Sequence, residues 1–136
     1  MKMKNVLVFL MGSCFLFSVS FAQQKKGAEW PTPDKYKSMK NQTKADEQTL
    51  ADGKALWNKY CKSCHGAKGL GDGPKGAGLK TFPGDFSAKA FQGLSDGAMY
   101  YRAIIGRGEM PNYEKSIPKE EDRWKLVTYM RTMGKK

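Results

Sequence analysis

Cys61-Lys62-Ser63-Cys64-His65, in the middle of a 136-residue chain, sets two thiols two residues apart with an imidazole directly behind them. This C-x-x-C-H run is the spacing of covalent haem attachment. The chemistry explains it: two thiols add across the two vinyl groups on neighbouring edges of a porphyrin, and one helical turn sets the sulfurs at the matching separation. The adjoining imidazole is then carried under the iron as proximal ligand. Three other uses of such a pair fit less well. A structural zinc site needs four ligands, and outside the N-terminal leader there is no other cysteine and no second histidine. A thioredoxin-like redox pair wants a βαβ setting, and a disulfide across so short a loop constrains almost nothing.

His65 is the only histidine, so two-histidine coordination within one chain is impossible. A methionine thioether, a lysine amine or an open position remains for the far side of the iron. Met99, Met130 and Met133 fall on expected helices, where packing is their ordinary role. Met39 lies in a polar arm. Met110 alone sits in a loop, Gly106-Arg107-Gly108-Glu109-Met110-Pro111. Its glycines let the backbone come close to a cofactor and Pro111 stiffens the other side, so Met110 is the expected sixth ligand. The alternative is a mobile loop methionine and a five-coordinate iron.

Outward from the motif, Leu50, Gly53, Trp57 and Tyr60 recur at steps of three and four and mark one face of a helix leading into it. Residues 66–84 are rich in glycine, with two prolines, and predict loop. A second helix is expected from the N-cap Ser95 to a stop at Gly106. A third opens after Pro118 with Glu120, Glu121 and Asp122 in its first turn and carries Trp124, Val127 and Met130. The chain therefore reads as all-α, three main helices with long Gly/Pro-rich loops. So small a helical core calls for a filler, and a haem would serve.

Residues 23–48 are polar, with Pro31 and Pro33, and read as an N-terminal arm ahead of a domain at 49–136. The arm either lays Trp30 and Tyr36 against the domain or acts as a flexible tether. Residues 1–22 have the layout of a secretory signal: Lys2 and Lys4, an apolar run from Val6 to Phe21, and a small-x-small site at Ser20-Phe21-Ala22. An uncleaved anchor and a lipid on Cys14 are the less favoured alternatives. The expected location is the periplasm. Removing Lys2 and Lys4 takes the formal charge from +11 to +9. Lysines scattered among acids, with no accompanying motif, point away from nucleic acid and toward a basic surface attractive to acidic partners.

From Gly53 to Met133 the chain resembles the class I cytochromes c, particularly the small bacterial monohaem domains of cbb3-type oxidases. The resemblance rests on Cys61, Cys64 and His65 followed by Gly66, the Gly71-Asp72-Gly73-Pro74 loop, Met110-Pro111, and a closing helix with Trp124 and Tyr129. It implies a cytochrome c fold around one covalent haem c, with Cys61 and Cys64 attached and His65 and Met110 as axial ligands. It further implies that Gly53 and Trp57 contact Leu126 and Tyr129 where the first and last helices cross, the aromatics sealing one haem edge. A proline carbonyl should accept the proximal histidine's other N–H; Pro74 is the candidate, with Pro83 the second choice. The function implied is single-electron transfer between redox proteins, with no small-molecule substrate and no catalytic residue. Lys62, Lys68 and Lys75 would guide an acidic partner to the haem edge. Two alternatives stay open: a haem-bearing subunit of a larger respiratory oxidoreductase, and a peroxidase or gas sensor with a labile sixth ligand.

Overall fold

Asp46 starts the first long helix. Its carboxylate accepts from the Thr49 backbone N–H at 2.8 Å, capping α2, Glu47–Tyr60. The computed structural model describes residues 29–134. Before α2 lies a single turn, α1 (Asp34–Lys37). After it come α3 (Lys62–His65) and a 3₁₀ turn at Gly76–Gly78. Next are α4 (Lys89–Gln92), α5 (Asp96–Tyr100) and α6 (Glu120–Thr132). Among the described residues no strand forms, and the single β-bridge pairs Arg107 with Met110. The expected leader, 1–22, lies outside the described residues, as does the start of the arm.

The long helices α2 and α6 cross face to face. Gly53 makes this crossing: a Cβ there would run into the Lys125 carbonyl and stand 2.7 Å from the Tyr129 Cβ. With no side chain between them the two backbones touch, and Trp57, Leu126, Val127 and Met130 pack around the contact, each at most 1% exposed. At its edge Lys125 lies 3.0 Å from Asp52 and 3.3 Å from Glu121. The partner of Gly53 is thus the Lys125–Tyr129 ridge; Leu126 is turned into the core beside it.

The middle helix differs from the expected one. Ser95 does cap it, accepting from the Ala98 N–H at 3.2 Å. Beyond α5, however, the chain widens into a π-helical turn, Tyr101–Ile105, before stopping at Gly106. Such turns recur at functional sites, and this one carries Arg102 and Ala103 to the wall of the central cavity. Arg131 of α6 holds the segment in place through the Asp96 carboxylate and the Leu94 carbonyl, both at 2.6 Å.

The arm is docked. Tyr36 lies 4.7 Å from Tyr101, ring to ring, and Asn41 donates to Thr128 of α6 at 2.8 Å. The expected boundary at residue 48 also falls inside α2, because the polar Asp46 that reads as arm is its cap. Gly53→Ala should overpack the crossing and cost about 2 kcal/mol. A thermal melt followed by circular dichroism should then show Tm falling by roughly 10 °C.

Candidate functional site

The C-x-x-C-H run begins where α2 ends. The His65 N–H bonds back to the Cys61 carbonyl at 3.0 Å and the Cys64 N–H to the same oxygen at 3.2 Å, so the motif is one helical turn with both sulfurs on it. The loop that follows folds back onto this turn: Gly71 N–H donates to the His65 carbonyl at 2.9 Å and Lys75 N–H to the Ser63 carbonyl at 2.8 Å. The reversal happens at Gly66, whose φ of 82° is left-handed and whose missing Cβ leaves room for the Asp72 carboxylate. Trp57 locks the corner, its indole N–H donating to the Gly66 carbonyl at 3.0 Å.

Cys61 and Cys64 are free thiols, Cys61 buried and Cys64 half-buried. Burial first, and then the neighbouring Cys64, push the Cys61 thiol up to about 12. That is the opposite of the lowered pKa of a redox-active cysteine pair. Among the described residues no group of three or more His, Cys, Asp or Glu is placed to hold a metal ion. His65 is 8% exposed, and burial pushes its imidazole down to about 4. Its ring lies 4.8 Å from Phe86 and 5.8 Å from Trp57.

Beside this turn opens a cavity of about 1200 Å³ with largely apolar walls. Its volume exceeds the ordinary range for small-ligand pockets, as a flat macrocycle requires. Cys61, Cys64, His65, Met110, Pro111 and Trp57 all line it. The Met110 loop is a tight turn, with Arg107 and Met110 exchanging backbone bonds of 2.9 and 3.0 Å. Glu109 ties this turn to a second loop by accepting from the N–H groups of Lys80 and Thr81, each at 3.1 Å. That second loop brings Phe82 and Pro83 to the cavity.

Two expected site residues lie elsewhere. Pro74 is exposed and belongs to a shallow cleft on the other side of the motif, with Asn58 and Asp72. The backbone that acts on His65 is instead the Pro83 carbonyl, which favours the protonated ring without making a full hydrogen bond to Nδ1. The reason is that residues 71–76 are already bonded to the outer face of the C-x-x-C-H turn. Tyr129 does not line the cavity; its ring stands 6.3 Å from Trp57, outside the wall. Met130, one residue on and about 100° further round α6, takes the wall position. Met99 lines the cavity too, as do Phe86, Phe91 and Arg102. Phe86 and Phe91 stack at 4.1 Å, and nothing periodic in the glycine-rich stretch before them signals this.

Residues 48–130 match the family model described as cytochrome c oxidase, cbb3-type, subunit III. The chain belongs to this cytochrome c family. A solved structure from Kuenenia stuttgartiensis, the reducing HAO-like protein complex Kustc0457/Kustc0458, is 29% identical with a TM-score of 0.58. The match covers 67% of this chain and 46% of that one, less than half its length. The KustC0563 c-type cytochrome is 29% identical with a TM-score of 0.52, over 62% of this chain and 99% of that one. No curated protein matches the chain at a significant level.

The all-α architecture is thus a cytochrome c fold, and the family's cofactor is haem c. The residues fit it by their donor chemistry: paired thiols, a buried imidazole, and an apolar cavity bounded by both. The cytochrome is a haem-based electron carrier or subunit. Among the described residues no helix is long and apolar enough to cross a membrane. Trp57→Phe keeps the ring and removes the donor to the Gly66 carbonyl. Chemical denaturation should report a loss of about 1–2 kcal/mol, the ordinary cost of a buried acceptor losing its main donor.

Proposed function

We propose that the protein carries single electrons on one haem c, bound through thioethers to Cys61 and Cys64 and ligated by His65 and Met110. The observation that supports this reading is that His65, on α3, and Met110, on a separate loop, border one apolar cavity together with both thiols. When bound, the haem supplies an iron that alternates between the ferrous and ferric states. This chain's residues do the rest. Phe86 and Trp57 flank the His65 ring and fix its plane. In the holoprotein the Pro83 carbonyl would accept the ring's other N–H, a bond that would raise the basicity of the ligand. Glu109 holds the Met110 turn to the loop carrying Pro83, so the segment bearing the proposed second ligand is braced before any electron arrives. A thioether and an imidazole retained in both oxidation states favour ferrous iron and leave no site for substrate, which suits electron transfer and not catalysis.

The partners in this reading are redox proteins with acidic docking surfaces, met in the periplasm after export through the leader at 1–22. Lys75 and Lys80 border the cavity and so stand at the docking edge, whereas Lys62 lines the outer cleft and Lys68 is exposed. Such contacts are small, transient and sensitive to salt. A second reading, the haem subunit of a larger complex, is favoured by the match to an oxidase subunit and by the neighbour that forms part of a complex.

Met110→Ala in the holoprotein tests the ligand. The near-infrared sulfur-to-iron band should vanish, ferrous iron should begin to bind carbon monoxide, and the potential should drop by on the order of 0.1 V, within the ~0.8 V that axial ligands span. A wild type that already binds carbon monoxide readily would favour the sensor or peroxidase reading instead.

A further inference from the structure

Three buried side-chain nitrogens have no hydrogen-bond partner among the described residues: His65 Nδ1, Trp30 Nε1 and Arg102 Nε. All three residues line the same cavity. The first belongs to the imidazole already discussed. The other two belong to residues in contact with each other. Arg102 donates through Nη2 to the Trp30 carbonyl at 2.8 Å, and its guanidinium lies 5.9 Å from the Trp30 ring centre. Arg107 covers the same ring at 4.6 Å and donates to the Glu29 carbonyl at 2.6 Å. Trp30 meets Tyr101 edge to face at 6.5 Å, so the indole is held on several sides.

Indole Nε1 and guanidinium Nε can only donate. Two buried donors on residues in direct contact, one of them charged, call for an acceptor that takes two bonds and carries negative charge. Burial disfavours the charge on Arg102, and the nearby Arg107 adds to this, so an anion at this place would relieve both effects. A carboxylate meets every requirement, and a haem carries two on its propionate arms.

We propose that Trp30 Nε1 and Arg102 Nε form the seat of one haem propionate, which makes the arm ahead of the matched region part of the cofactor site. Trp30 lies outside residues 48–130, the segment shared with the family model. The inference rests on the haem reading of the cavity. It also gives the arm a reason to dock: its Trp30 completes a binding site that the helical domain leaves one donor short.

The test uses holoprotein carrying Trp30→Phe, which keeps the aromatic packing and removes only the N–H, and in parallel Arg102→Gln. Denatured mass and visible spectrum establish that haem is attached and its iron ligands are retained; a colourless wild type would defeat the haem reading itself. The readout for the seat is the pH dependence of the reduction potential, which falls as a propionate ionises. Loss of a donor to the carboxylate should move that fall upward by about one pH unit, a tenfold change in its acid constant, in each variant. An unmoved titration in both variants overturns the proposal. So does a wild-type potential that responds to added phosphate while the variants do not, since the seat would then hold a free anion.

Discussion

Backbone-to-backbone contact between α2 and α6 at Gly53 is the constraint from which the rest of the molecule is organised. Because no side chain separates the helices there, Trp57 on one and Met130 on the other are brought to the same wall of the cavity. The crossing fixes where α2 ends, and the C-x-x-C-H turn begins at that end. Trp57 therefore serves two purposes. Its ring lies in the crossing, and its N–H holds the Gly66 corner that turns the chain away from His65. Stability of the helical pair and orientation of the imidazole are in this way one problem, solved by a single side chain.

Around that pair the chain builds a container whose parts are loops, and the loops are held by polar atoms. Glu109 joins the two lips by bonding backbone N–H groups of Lys80 and Thr81. Arg123 holds the segment leading into α6 through the Ile117 carbonyl at 2.7 Å and the Glu114 carbonyl at 2.8 Å. Arg131 does the same for the chain ahead of α5. These guanidinium-to-carbonyl bonds satisfy backbone acceptors that irregular segments cannot satisfy among themselves. A covalently attached macrocycle would give the walls of the cavity something to pack against.

The arm changes how the fold is divided. Its polar composition allows a docked arm or a tether, and the arm is docked: Asn41 is bonded to α6, Tyr36 lies on Tyr101, and Trp30 lines the cavity. A docked arm with aromatic residues facing inward covers part of the cavity that the shared family region leaves open.

Much was legible in the sequence because it is local. Cys61, Cys64 and His65 belong to one turn, and their spacing carries their chemistry wherever that turn is placed. Helix periodicity marked α2 and α6, and Ser95 marked its own helix start, since caps and faces are settled within a few residues. What only the tertiary structure decided are relations across the chain. Pro74 stands away from the cavity because residues 71–76 are bonded to the carbonyls of the motif turn, a fact no spacing records. Met130 displaces Tyr129 from the wall because one residue step turns the helix by about 100° relative to a partner whose position the sequence does not state. Phe86, Arg102 and Trp30 reach one cavity from three segments far apart in the chain. Short-range geometry is written in the order of residues, whereas enclosure depends on where distant segments come to rest.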